Sequence, residues 1–375
     1  MRKPRVAVVG TGTIGSQVLW QLAEHGVPAT GYELYSPGHP RGAAGGESRL
    51  FRFIELEDLR YVPVVQRAHT LWNQLQEKAG TRLRALDGAL TIIQDNTTAS
   101  TTARETAELL GSRAQVLCRD EATRKFPSFT LAEDEFAVLD KDAGTIYPER
   151  AIRAATATAV ALGARIRTES RVTEIAQHGR QVIVRTQDDE TAYDRVVIAA
   201  GAWTSTLVPE LAPYLAPRRL LSTWFLPKPG QSLAGIVPYI RAAPNYSYGL
   251  PTTDGSAMKL GLGFDHHKII ESPDTADLRV TEEDLTAVRS LARNLLPSLD
   301  YYPVRINPYF EAYTRSRIEY AGKHPSIEGA IVMAGFSGKG FKTSPALGEL
   351  GAQLALAADI REETKFIVDA EHRPF

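Results

Sequence analysis

The chain has 375 residues, 43% hydrophobic and 23% charged, and its 43 basic residues balance 44 acidic ones to a net charge of −1. That length can bury two sizeable cores, and a balanced charge without basic runs gives no footing for a nucleic-acid partner. The single cysteine, Cys118, excludes an intramolecular disulfide and a cysteine-cluster metal site, and it suggests a reducing, cytoplasmic setting.

The chain opens on a short basic segment and the apolar run Val6-Ala7-Val8-Val9. At about four residues the run is too short for a signal peptide, and no later stretch approaches the ~18 apolar residues of a membrane span. The expectation is therefore no membrane partner. A run this continuous suits a strand buried on both faces. Gly10, Gly12 and Gly15 follow at G-x-G-x-x-G spacing, enclosing Thr13 and Ile14. Ile14, Val18 and Leu22 then recur at helical spacing, Gly26 marks a stop, and Val27 to Tyr32 reads as a second strand ending in Glu33. Glu33 lies 18 residues beyond Gly15, where a carboxylate accepts hydrogen bonds from a ribose diol. Strand, glycine turn, helix, strand and acid together predict a dinucleotide site, with the pyrophosphate at the helix N-terminus. They do not say which dinucleotide.

Next comes the irregular Ser36–Gly46 loop and then Glu47-Ser48-Arg49-Leu50-Phe51-Arg52. Two arginines three residues apart can present both guanidinium groups to an anion; the alternative is a solvated pair. Val64–Lys78 has helical periodicity, and Arg82–Gln94 reads as a hairpin turning at Asp87-Gly88. Helices are expected over 97–111, from a cap at Asp120 to Phe126, and from Pro148. Strands follow at Ala164–Ile175, Gln181–Arg185 and Arg195–Ala200. The last is a buried parallel strand whose end, Ala200-Gly201-Ala202-Trp203, meets a ligand through small residues.

From Pro213 to Tyr313 prolines, aromatics and alternation predict a largely antiparallel sheet with one helix at Glu282–Leu295. There Met258, Leu260 and Leu262 share one strand face, so Lys259 stands on the other with Ala257, Gly261 and Gly263. The Lys259 ammonium either faces open space that must hold water, a ligand or a counter-charge, or lies on a solvated edge. His266 and His267 point to opposite faces and read as solvated. Gly329–Gly335 is again a buried strand. It leads through Phe336-Ser337-Gly338-Lys339-Gly340-Phe341 to Lys342, just before a helix opened by Thr343-Ser344-Pro345.

The fold class expected is α/β, or two-domain α+β: a Rossmann-like nucleotide domain from residues 1–82, 144–212 and 316–375, interleaved with a mainly antiparallel substrate domain from 83–143 and 213–315. Only one fingerprint is present, and a domain gathered from distant segments suits one resident FAD better than an exchangeable NAD.

These stations resemble the monomeric sarcosine oxidase and N-methyltryptophan oxidase branch of the D-amino-acid-oxidase-like flavoproteins. They are the fingerprint with Glu33, Glu47-Ser48-Arg49-Leu50-Phe51-Arg52, Tyr61-Val62-Pro63 with Leu71-Trp72, Tyr248-Gly249-Leu250-Pro251, Met258-Lys259-Leu260-Gly261, Tyr313-Thr314, and Ala334 to Lys342. The resemblance implies an FAD-dependent oxidase of amino acids or N-substituted amino acids that uses O2 and releases H2O2. The alternative is a dehydrogenase passing electrons to a carrier or quinone. It implies that Arg49 lies near the flavin and that Arg52 and Lys342 hold the substrate carboxylate. Lys259 would support the reaction with O2, and Tyr248 and Tyr313 would line the substrate pocket. Cofactor contacts are implied for Gly10, Gly12, Thr13, Ile14, Gly15, Glu33, Ser48, Arg49, Val172, Ala200, Gly201 and Trp203, and for the Gly335, Phe336 and Gly338–Lys342 loop. Two departures stand out. Glu311 occupies the position of the flavin-linking cysteine, so FAD is expected to be noncovalent. Gly263 replaces an active-site histidine, which is expected to open space beside the substrate for something bulkier than sarcosine. The expected assembly is a monomer or small homo-oligomer.

Overall fold

The structure, a computed structural model, describes residues 2–375. Val6–Val9 forms a strand with every residue buried, as its unbroken apolar run prescribes. It sits in a six-stranded sheet between Ala29–Tyr32 and Arg195–Ile198, both parallel to it. Arg165–Arg167 and Ala330–Ala334 extend the parallel set on either side, and Tyr320–Lys323 closes one edge antiparallel. The sheet therefore draws on three separated stretches of chain. Helix Gly15–Glu24 leaves the first strand and packs against helix Gly340–Leu356. A Cβ at Gly348 would stand 2.4 Å from Gln17 Cβ, and one at Gly351 would stand 2.7 Å from Val18 Cγ2. Only glycine allows the two helices to lie this close.

A nine-stranded sheet combines Ala89–Gln94, Ala114–Leu117 and Glu135–Asp140 with strands from Ala216 to Tyr313. Its pairings are antiparallel except for Ala89–Gln94 beside Tyr239–Arg241. Met258, Leu260 and Leu262 share a core with Leu285, Val288 and Leu295 of helix Glu282–Leu295. Alternation then turns Lys259 to the opposite face. A small sheet of Arg49–Phe51, Gly144–Ile146 and Arg84–Ala85 carries Arg49 and delivers Arg52 just past its end.

Several local expectations are corrected. Arg82–Gln94 is not a hairpin: Arg84–Ala85 pairs with Gly144–Ile146, whereas Ala89–Gln94 pairs with Glu135–Asp140 in the large sheet. Gly88 still turns the chain, at φ +100°, but it turns it from one sheet into another. Ala164–Ile175 is two strands, Arg165–Arg167 and the start of Val172–His178, which belongs to a separate three-stranded antiparallel sheet. Cys118 rather than Asp120 caps the short helix Arg119–Lys125. The last long helix begins at Gly340, three residues before Thr343, and carries Pro345 inside. Among the described residues, no helix is long and apolar enough to cross a membrane.

Candidate active site

One cavity runs from the glycine turn to the end of the chain's last buried strand. At its first end Gly10 adopts φ +84°, and a Cβ there would meet the Ala199 carbonyl oxygen at 2.6 Å. At Gly15 an added Cβ would fall 1.7 Å from the Gly10 carbonyl oxygen, whereas at Gly12 it would meet nothing within 4 Å. Gly12 thus faces open cavity while its two neighbours pack on backbone. Thr13 Oγ1 and Ser16 Oγ, at the start of helix Gly15–Glu24, are buried without a partner. Glu33 is buried and accepts hydrogen bonds from the Thr11 and Tyr35 amides, both at 3.1 Å. Burial alone would raise its pKa; the contacts from His39, Tyr35 and Thr11 outweigh this and hold it below the usual carboxylate range. Val172, Ala200, Gly201 and Trp203 line the same space.

At the other end Arg52, Glu55 and Lys342 meet. The Lys342 ammonium donates to Glu55 Oε1, and Arg52 Nη1 stands 4.0 Å from Glu55 Oε2. All three are buried. Arg52 Nη1 has no hydrogen-bond partner. Burial lowers the Lys342 pKa to about 8, against the pull of Glu55 and with a further push from Arg52. Lys342 lies in the first helical turn rather than in the loop before it. Its carbonyl receives the Trp72 indole N–H at 3.0 Å, and Trp72 stacks on Phe341 at 6.1 Å. Glu55 was missed in the sequence, although it follows Arg52 by three residues. The glycine loop curls back through Ser337, held at φ +52°. Ser337 Oγ accepts the Thr314 N–H at 3.2 Å, and Gly335, Phe336, Gly338, Lys339, Gly340 and Phe341 all line the cavity.

Three expected site residues lie outside the lining. Gly15 packs on Gly10, Ser48 is buried, and Lys259 faces neither open space nor solvent. The Lys259 ammonium instead donates to the Gly46 carbonyl at 3.0 Å and to the Ser48 carbonyl. Burial, reinforced by Arg49, pushes its pKa well below the ordinary lysine value. Arg49 does line the cavity, and it donates to the Ser48 carbonyl at 2.7 Å and to those of Ala43 and Gly45. Lys259 and Arg49 therefore organise the 43–49 loop through its carbonyls.

The space expected beside Gly263 is not open. A Cβ there would stand 2.7 Å from Tyr246 Cβ, so Tyr246 fills the room an imidazole would take. Tyr248, Tyr313, Tyr246 and Tyr309 line this part of the cavity, and the Tyr248 and Tyr309 hydroxyls lie 3.3 Å apart. Glu311 accepts the Gly338 N–H at 2.7 Å. Burial raises its pKa, partly offset by that amide and by Arg49. His267, expected in solvent, is half-buried and lines the cavity. Among the described residues, no group of three or more potential ligands could hold a metal.

The pattern of one family, FAD dependent oxidoreductase, matches residues 5–354. The chain belongs to that family. It is 27% identical to a monomeric sarcosine oxidase of Streptomyces avermitilis, over 94% of this chain and 93% of that protein. It is 30% identical to an N-methyl-L-tryptophan oxidase of Yersinia pestis, over 93% and 94%, and 29% identical to the human peroxisomal sarcosine oxidase, over 93% and 91%. Among solved structures its fold is similar to that of NikD, described as an unusual amino acid oxidase essential for nikkomycin biosynthesis, with a TM-score of 0.82, 22% identity, and coverage of 98% and 97%. Glycine oxidase from Geobacillus kaustophilus gives a TM-score of 0.81 at 19% identity, with both chains covered in full. The fold is thus the mixed α/β one of these flavoproteins, and the protein is an FAD-dependent oxidoreductase. Open space at Gly12 with the unpartnered Thr13 hydroxyl just before a helix N-terminus fits a pyrophosphate, and the long cavity beyond fits the rest of FAD.

Proposed function

We propose that the protein is an oxidase of amino acids or N-substituted amino acids, and that the unpartnered Arg52 Nη1 in the cavity carries this reading. Arg52 and Lys342 bring two positive charges to a buried corner where Glu55 brings one negative charge. At neutral pH Lys342 stays mostly protonated, given its pKa of about 8, so Arg52 and Lys342 outnumber Glu55, while the more distant Glu57 is paired with Arg317 at 2.7 Å. A substrate carboxylate would neutralise the excess positive charge and supply an acceptor to the orphaned N–H. The relatives' names, sarcosine oxidase and N-methyl-L-tryptophan oxidase, agree with a substrate that pairs a carboxylate with an amine.

Gly10, Gly12, Thr13, Ile14, Glu33, Val172, Ala200, Gly201, Trp203 and the Gly335–Lys342 loop would hold FAD along the cavity, with Arg49 beside it. Gly15 would contribute by closing the helix on the turn, and Ser48 by fixing Lys259 and Arg49. Bound FAD would accept two electrons from the C–H next to the substrate nitrogen and pass them to O2, giving H2O2 and an imine that water hydrolyses. The protein's share is orientation and electrostatics. Arg52 and Lys342 anchor the carboxylate, the tyrosines wall off water, and Arg49 places positive charge near the site of oxygen reduction, on a loop that Lys259 fixes from behind. The cofactor-binding segments would form one domain, and residues 83–143 with 213–315 the substrate-binding one.

Glu311 stands where the family's linking cysteine is expected, and Cys118 is exposed and does not line the cavity. The flavin is therefore proposed to be noncovalent, and acid precipitation should leave the yellow colour in the supernatant; colour in the pellet would refute this. The activity itself is tested by mixing the yellow protein anaerobically with N-methyl, cyclic and primary amino acids of both hands, then admitting air. Bleaching followed by rapid return of colour supports an oxidase. Absence of bleaching with every member refutes the substrate class, and bleaching with slow return in air refutes the use of O2.

A further inference from the structure

The geometry points to His267 as a positioning residue: it claims the Tyr313 hydroxyl hydrogen, so that the tyrosine oxygen meets the substrate amine as an acceptor only. The inference rests on the amino-acid reading above and concerns a histidine outside the motifs that suggested it. His267 follows the short turn Phe264–His266 at the end of strand Met258–Leu262. Its Nε2 lies 3.0 Å from the Leu262 carbonyl oxygen. A carbonyl only accepts, so Nε2 carries the hydrogen. Burial lowers the imidazole pKa to about 4, and the neutral ring has one N–H. Nδ1 therefore offers a lone pair.

The Tyr313 hydroxyl lies 3.2 Å from that Nδ1 and has to be the donor. Glu311 is the other acceptor near Tyr313, and the tyrosine's proximity helps hold its pKa down, but the hydroxyl has its hydrogen-bond geometry with His267 Nδ1. If the hydroxyl turned to Glu311 instead, Nδ1 would lose its donor. Arg218 reinforces the arrangement. Its guanidinium sits over the Tyr313 ring at 5.2 Å and donates to the carbonyls of Phe264 at 2.8 Å and His267 at 3.4 Å. One cation thus ties the histidine's turn to the tyrosine's ring. Tyr313 keeps its two lone pairs, and both residues line the cavity. The chain of donors runs one way, from substrate N–H to Tyr313, from Tyr313 to His267, and from His267 to the Leu262 carbonyl. Such an oxygen favours amines that keep an N–H and disfavours neutral tertiary amines.

The test uses the FAD-loaded enzyme and a double-mutant cycle on its best secondary-amine substrate. His267→Ala should lower kcat/KM about five- to tenfold, the effect of one hydrogen bond, and should lower it no further in a Tyr313→Phe background. His267→Asn, whose amide oxygen can take the place of Nδ1 as acceptor, should stay within about twofold of wild type by the same measure. The preference for a secondary amine over its N,N-dimethyl analogue should shrink in His267→Ala by about the factor lost. Additive effects, or an asparagine variant as poor as the alanine one, would overturn the inference. Nitrogen-15 NMR of the histidines gives a readout independent of turnover. An unprotonated, hydrogen-bonded Nδ1 should shift on Tyr313→Phe, whereas a hydrogen on Nδ1 would overturn the inference with or without activity. If the wild type oxidises no amino acid, the functional reading falls by itself, and the NMR result still decides the His267–Tyr313 arrangement.

Discussion

Replacing Arg52 by methionine is the most direct test of the carboxylate corner. Wild type holds Arg52, Lys342 and Glu55 there, all buried, so solvent screens their interactions little. Methionine keeps much of the bulk and removes one charge, leaving Lys342 and Glu55 as a neutral pair. A bound carboxylate would then lose its only donor not already shared with Glu55. Truncating one partner of a buried, hydrogen-bonded charge pair costs about 2–5 kcal/mol. At ~1.4 kcal/mol per tenfold, that is a loss of roughly 30-fold to a few thousand-fold in kcat/KM. Folding should suffer less, because the Arg52–Glu55 contact is long at 4.0 Å and Arg52 Nη1 makes no hydrogen bond in the structure. The assay compares an amino acid with the amine left when its carboxylate is removed, each measured in wild type and Arg52→Met. The amino acid should lose the full factor and the bare amine almost none. Equal losses for both compounds, or a loss below threefold for the amino acid, would refute the assignment.

The affinity of an amine-free monocarboxylate such as propionate, read from its perturbation of flavin absorbance, should be flat from about pH 6, where the ligand is ionised, to about pH 8, where Lys342 with its pKa of about 8 is still charged, and weaken up to tenfold per unit above it. The Lys342→Arg variant, whose charge persists, should lose that break; a wild type flat to pH 10 would remove Lys342 from the corner. Lys259→Met should slow air reoxidation of the reduced enzyme about a hundredfold while anaerobic reduction by substrate changes far less, and an unchanged reoxidation rate would contradict its role. Gly12→Val should fold with the Tm of flavin-free wild type but purify colourless, because a Cβ there meets no protein atom within 4 Å. Gly15→Val should fail to fold, its Cβ falling 1.7 Å from the Gly10 carbonyl oxygen; a stable yellow Gly12→Val protein would contradict the cradle.

What could be read from the sequence is what local sterics and periodicity determine. The glycine turn was legible because each glycine answers a demand made within a few residues, namely a positive φ, an open cradle or a helix pressed on its own turn. The central strand was legible because an apolar run without alternation has only a two-sided burial to go to. Alternation likewise turned Lys259 away from Met258 and Leu260. What alternation could not supply was its partner, since the carbonyls of Gly46 and Ser48 lie more than two hundred residues earlier in the chain.

The corrections share that cause. Arg84–Ala85 and Ala89–Gln94 look like a hairpin because a turn at Asp87-Gly88 joins them, yet each finds a better partner from the 135–146 segment. Pairing was decided by distant strands, and the turn only passed the chain between them. Glu55 carried no motif, and its importance appears only when the last helix brings Lys342 to it. Tyr246 shows the limit of reasoning by substitution. Removing an imidazole at Gly263 frees volume only if nothing moves in, and the adjacent strand places Tyr246 against that backbone. His267 is the converse case. Two adjacent histidines on a strand predict one in solvent on either side, but the chain leaves the strand at Gly263 and turns through Phe264–His266. That turn sets one imidazole back over the cavity, 3.2 Å from the Tyr313 hydroxyl. A polar group absent from its expected position in the strand is thus met by another from just beyond it, and the donor pattern in the cavity has to be worked out from this chain's own atoms.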